Sequence, residues 1–178
     1  MGTSFYGERA SGHRALRRGR VSIPGQTYLV TFTTHQRAQI FKEDGNAALM
    51  GRSLHGLTIW RDTKLLAWTL MPDHLHLLIK LSHAETLQSV VQKVKSNTAR
   101  ELKSNDLGLG QVWASAFHDR ALRRDEDTRD VARYMVLNPV RAGLVPRVGD
   151  YPYWDAVWIS VSVATYVAPT AFPRCPTT

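Results

Sequence analysis

The sequence predicts an α+β domain: an antiparallel split βαβ sheet with helices on one face and an additional C-terminal helix that bears a tyrosine. Three observations carry this. Strand-like runs rich in β-branched, aromatic and leucine residues stand at TYLVTFTTH, KLLAWTL and HLHLLIKL, the composition a half-buried or buried strand selects. Segments of helical period separate them. Proline, glycine and aspartate mark the junctions.

The elements follow in order. Pro24-Gly25 turns the chain into a first strand, where Tyr28, Val30 and Phe32 alternate with Leu29, Thr31 and Thr33. From about Asp44 to Trp60, Ala48, Leu49, Arg52, Leu54 and Leu57 suggest a helix despite internal glycines. Lys64–Leu70 is apolar on both faces, as a central strand is. Met71-Pro72-Asp73 turns into the strand His74–Leu81, whose alternation puts His74, His76, Leu78 and Lys80 on one face and Leu75, Leu77 and Ile79 on the other. Glu85 to about Leu102 is a second helix, lined by Leu87, Val90, Val91, Val94 and Thr98. VWASAFHDRAL supplies a fourth strand. RDEDTRDVARYMVLN is a last helix with an acidic first turn, suited to the positive helix N-terminus, and Pro139 is expected to stop it. The order β-α-β-β-α-β-α is that of the ferredoxin-like split βαβ, a fold that does not by itself define a function.

The chain divides into a basic arm (1–20), a folded domain (21–146) and a tail (147–178), partly packed and then disordered. The arm carries Arg9, Arg14, Arg17, Arg18 and Arg20 against a single acid, Glu8. It reads as a flexible segment that orders on a partner, or as a solvated tail. Trp154 and Trp158 in the tail are expected to pack on the domain rather than stack on bases. An apolar share of 43% belongs to a globular chain, and a formal charge of +8 suits a polyanionic partner, because each neutralised phosphate releases condensed counterions. The lone Cys175 offers no disulfide framework. With neither a signal-peptide core nor an apolar run long enough to span a bilayer, the expected location is the cytoplasm.

Two constellations bear chemistry. His74 and His76, two apart on a strand, project from one face about 6–7 Å apart, close enough for two imidazoles to reach one ion. A H-x-H pair alone is equally at home in ordinary hydrogen bonds. Tyr134 and Asn138, four apart, share a helix face. Alone they read as a core tyrosine and a helix C-cap.

Together with their context these residues resemble a known family. HLH after MPD, then YMVLNPVRAGLV downstream, with RRGRVSIPGQTYLVTFTTHQRAQIF, QKVKSNTAR and WASAFHDRALRRDEDTRDVAR in the same order, is similar to the IS200-like tyrosine transposases. Within them the likeness is strongest to the single-domain members associated with repetitive extragenic palindromes (REP), and it covers about residues 17–146. The resemblance implies that Tyr134 is the nucleophile. It implies His74 and His76 as ligands of a divalent metal, Mg or Mn, with Asn138 as third ligand where the insertion-sequence branch carries Gln. It implies a DNA transposase that nicks and rejoins single-stranded hairpin DNA through a 5′-phosphotyrosine. A non-cleaving hairpin-binding protein is the alternative. Arg17, Arg18 and Arg20 would clamp phosphates or read bases. Lys93, Lys95 and Arg100 would touch a stem backbone, with Arg120, Arg123 and Arg124 beside the last helix. A monomer working in cis is favoured over a homodimer.

Overall fold

The computed structural model of this chain describes residues 22–104 and 109–158; Arg17, Arg18, Arg20 and Cys175 lie outside the described residues. Five antiparallel strands form one sheet: β1 (Thr27–Thr33), β2 (Lys64–Met71), β3 (His74–Lys80), β4 (His118–Ala121) and β5 (Trp154–Ala156), in the order β4-β1-β3-β2-β5. The first four strands keep the ferredoxin-like order predicted above. β5 extends the sheet beyond β2, pairing Ala156 with Ala67 and Trp154 with Thr69.

Alternation along the strands gives the sheet two different faces. Tyr28, Val30, Phe32, Trp68, Leu70, Leu75, Leu77 and Ile79 form the first, buried against α1 (Asp44–His55) through Ala47, Met50 and Leu54 and against α2 (Leu87–Ser104) through Leu87, Val90, Val91, Val94 and Leu102. Each large apolar side chain removed from water here contributes about 1.5–3 kcal/mol. On the second face Leu29, Leu78, Ala67 and Ala156 meet α3 (Thr128–Val136) through Val131, Ala132, Met135 and Val136. Asp127 caps α3, its side chain accepting from the Arg129 N–H at 2.7 Å.

Besides the start of the last helix, at Thr128 rather than Arg124, three features differ from the sequence reading. The first helix ends at His55, not Trp60. Leu57 turns to extended geometry (φ −71°, ψ 125°), and Thr58–Arg61 form a separate 3-10 turn held by Trp60 Nε1–H donating to the Leu54 carbonyl at 2.7 Å. The fourth strand is only His118–Ala121. Trp113 and Phe117 turn into the first core, and the carbonyls of Ala114 and Ala116 accept from Lys95 at 2.8 and 2.7 Å. Pro139 does not end the last helix outright: α3 stops at Val136, and α4 (Asn138–Arg141) follows with Pro139 in its first turn. Proline has no N–H to continue an α ladder, yet its fixed φ suits the start of a helix. Asn138 therefore opens a second short helix instead of closing the tyrosine helix.

The segment after α4 returns across the sheet. Tyr151 Oη donates to the Leu70 carbonyl at 2.6 Å, Trp154 Nε1–H donates to the Val148 carbonyl at 3.2 Å, and Trp154 and Trp158 pack beside the second cluster.

Candidate active site

Opposed residues of an antiparallel pair share a face, so the strand registers define rows across the sheet. One row runs His118, Thr31, His76, Thr69, Trp154; the next contains Arg120, Leu29, Leu78, Ala67 and Ala156. The residues of the second row from Leu29 to Ala156 pack in the cluster with α3. The first row carries the polar groups, with His74 beyond it opposite Thr33 and Met71 at the β2–β3 turn.

The two imidazoles stand nearly perpendicular, with centroids 4.7 Å apart and Nε2 atoms 3.0 Å apart. Both Nδ1 atoms are engaged from behind. That of His74 lies 2.5 Å from Asp73 Oδ1, and that of His76 lies 2.8 Å from Thr31 Oγ1. Arg37 Nη1 donates to the other Asp73 oxygen at 3.2 Å. An imidazole whose Nδ1–H is given to an oxygen has its Nε2 lone pair free, the arrangement that orients histidine toward a metal. At His76 the Thr31 hydroxyl selects between two tautomers. When it accepts, both Nε2 lone pairs converge; when it donates, His76 Nε2–H donates to His74. Two adjacent nitrogen ligands on one ion, with bonds of about 2.1 Å, stand about 3 Å apart, so this donor pair fits a divalent ion.

Electrostatics agree with that use. His76 is pushed down to about 3, first by burial, then by the neighbouring His74 and the Arg141 guanidinium, with Asp73 opposing; it is neutral at pH 7. Burial alone would raise the Asp73 carboxyl, but hydrogen bonds and charge from His74 and Arg37 outweigh it and hold Asp73 below the usual carboxylate range. The turn delivering Arg37 is strained: Gln36 and Arg37 take φ of 53° and 54°, at about 1–2 kcal/mol each for non-glycine residues. Thr69 Oγ1, opposite His76 and fully buried, has no hydrogen-bond partner among the described residues. Among the described residues no group of three or more His, Cys, Asp or Glu gathers to hold a metal, so two imidazoles need an amide or substrate oxygens to complete a shell.

Tyr134 and Asn138 come together through a residue the sequence reading did not single out. The Arg141 guanidinium stacks on the Tyr134 ring, Cζ to centroid 4.0 Å, and its Nη1 donates to Asn138 Oδ1 at 3.3 Å. The same guanidinium is close enough to act on His76. One chain thus brings tyrosine, amide and histidine pair to the same side of its sheet.

The remaining candidates are scattered. Lys93 pairs with Glu85, and Arg100 is exposed on α2, which packs against the opposite face. Lys95 turns its ammonium inward to two carbonyls and over the rings of Phe32 and Phe117 at 5.0 and 5.8 Å. Arg120 is on the histidine face and pairs with Glu126 at 2.7 Å. Arg123 and Arg124 are exposed. Of the supporting residues missed, Asp73 had a signal in its place directly before the histidine strand, and Thr31 in its polar position among alternating apolar residues. Arg37 and Arg141 had none: a turn brings in the first, and the junction of α3 and α4 the second.

The split βαβ sheet carries paired imidazoles on the face to which the tyrosine-bearing helix packs, and the match to a family model makes the chain a transposase. More particularly, the chain belongs to the IS200-like transposase family, whose model matches residues 22–132, ending just before Tyr134. A REP-associated tyrosine transposase of Escherichia coli K12 is 29% identical over 96 residues, covering 52% of this chain and 54% of the relative. A Haemophilus influenzae relative is 27% identical over 94 residues, covering 47% and 53%. The chain thus spans about half the length of the curated relatives it matches. A solved REP-associated tyrosine transposase bound to a REP hairpin superposes with a TM-score of 0.62 at 21% identity, over 87% of this chain and 97% of that one, which shows a shared fold. Among the described residues no helix is long and apolar enough to cross a membrane.

Proposed function

We propose that this protein is a metal-dependent DNA transposase that nicks and rejoins single-stranded hairpin DNA through Tyr134. The observation that carries this reading is the convergence of His74 and His76 Nε2 at 3.0 Å, each ring anchored at Nδ1, on the sheet face to which α3 packs. Family membership and the hairpin bound by the structural relative support the substrate class.

In the reaction Tyr134 Oη attacks a backbone phosphorus. The phosphorus–O3′ bond breaks, the tyrosine proton ends on the released 3′ oxygen, and the 5′ side stays joined as a phosphotyrosine. One phosphodiester replaces another, so rejoining by the 3′-hydroxyl needs no nucleotide. His74 and His76 would hold Mg or Mn, with the Asn138 amide oxygen as a third donor. The bound ion would polarise the phosphate as a Lewis acid and orient it. Asp73 and Thr31 fix the imidazoles. Because α3 packs on its own chain's sheet, a monomer acting in cis is the assembly we favour.

The test is a labelled pool of imperfect DNA hairpins with single-stranded flanks, incubated with protein and Mg or Mn. Wild type is expected to form a denaturation-resistant protein–DNA adduct that chelator prevents and Tyr134→Phe abolishes while still binding hairpin. An adduct that persists in Tyr134→Phe overturns the assignment, and hairpin binding by wild type without any adduct makes this a non-cleaving hairpin-binding protein.

A further inference from the structure

Arg141 joins Tyr134 to Asn138 and has donors left over. Its guanidinium covers the Tyr134 ring at 4.0 Å and reaches Asn138 Oδ1 at 3.3 Å. Among the described residues no ion pair involves it. The residue is exposed. A guanidinium has five N–H donors; the Asn138 contact uses one, and its length makes it weak. Arginine's planar fork matches the oxygens of a phosphodiester.

We propose that Arg141 is a catalytic residue that grips a non-bridging oxygen of the phosphodiester attacked by Tyr134. This rests on the function proposed above. Arg141 exchanges no proton in the step. Stacked on the ring, it fixes the nucleophile and the phosphate with one group. Its remaining donors stabilise the charge that grows on the non-bridging oxygens as the fifth bond to phosphorus forms. Its place, one turn beyond Asn138 in α4, follows from Pro139: the new helix begun there sets the side chain back over Tyr134.

The test is a chemical double-mutant cycle. A hairpin is selected from the pool by binding to the Tyr134→Phe protein, and its scissile linkage is mapped from the wild-type adduct. It is then made in two forms, natural and with a methylphosphonate replacing one charged oxygen at that linkage. Arg141→Gln is expected to slow adduct formation on the natural hairpin by about 10²–10³-fold, the usual loss for one transition-state donor. Its thermal midpoint stays at the wild-type value, because the side chain is exposed. Arg141→Lys recovers part of the rate, keeping charge without the fork. The methylphosphonate slows wild type strongly and Arg141→Gln far less, so the two losses do not multiply. A wild-type rate in Arg141→Gln, or equal methylphosphonate penalties in the two proteins, overturns the assignment of Arg141 while the transposase reading stands. Absence of any wild-type adduct overturns both.

Discussion

The two faces of the sheet are built to different rules. On the first, β1, β2 and β3 carry large apolar side chains, and α1 and α2 close over them, so that Val30, Phe32, Leu70, Leu75, Leu77 and Ile79 are fully buried. On the second, apolar packing covers only one part: α3 lies over Leu29, Leu78 and Ala67, and the adjoining row holds Thr31, His76, Thr69 and His118. The same strands serve both, since neighbouring residues point to opposite sides. Leu75 and Leu77 flank His76 in β3, and their burial on the first face anchors the strand that carries it. The rigid face supplies stability, and the half-open face carries the polar groups whose burial costs free energy unless each is paired.

Mutations should separate these roles. The largest stability effect is expected from Phe32→Ala. Phe32 is fully buried and meets Trp113 edge-on at a centroid distance of 4.8 Å, so its truncation should cost about 3–5 kcal/mol, read by urea unfolding. Its neighbour Thr31 faces the other way, and Thr31→Val should change urea stability by much less. Equal losses at the two positions would mean that the faces are not energetically distinct.

A smaller effect, of a different kind, is expected from Asp73→Asn. The substitution keeps the shape of the turn but removes the charge that links Arg37 to His74. Outer-shell partners of ligating histidines are worth about 10–100-fold in metal affinity or activity. The Mn concentration that half-saturates adduct formation should rise by that range while the unfolding midpoint moves little. An unchanged Mn dependence would show that the Asp73 contact does not orient His74 for an ion.

How much of this was legible in the sequence follows from the range of each signal. Alternation and helical period are local, so the strand order, the split βαβ connectivity and the facing of His74 with His76 could be read directly. The tyrosine helix was read too long at both ends: it starts at Thr128 behind the Asp127 cap, not at Arg124, and stops at Val136. A proline can stop a helix or start one, and only the packing of residues 139–141 decides between them. The strand β5 and the shortening of β4 were not legible, because Trp113 and Phe117 have strand-like composition but are drawn into the core between α2 and β1. The partners of the imidazoles came from three different stretches, Thr31, Asp73 and Arg37, and Arg141 reached Tyr134 through a helix junction. Such meetings depend on tertiary geometry that no period records.

Lys95 shows the same limit for charge, and gives the last comparison between the faces. On the sequence it belongs with Lys93 and Arg100 as a cation on an amphipathic helix, free to meet a phosphate. In the fold it belongs to the first face: its ammonium donates to the Ala114 and Ala116 carbonyls and lies over Phe32 and Phe117, so it fastens the segment before β4 to α2. Lys95→Met keeps the aliphatic stem and leaves two carbonyls without their donor. Charged hydrogen bonds of this kind are worth about 1.5–3 kcal/mol, so the variant should lose stability in that range. A phosphate-binding lysine behaves in the opposite way: its loss lowers the salt dependence of DNA binding by about one contact and leaves folding nearly untouched. Measuring urea unfolding and the salt slope of hairpin binding on the same variant decides the matter. A reduced slope with unchanged stability would move Lys95 from the scaffold to the DNA surface.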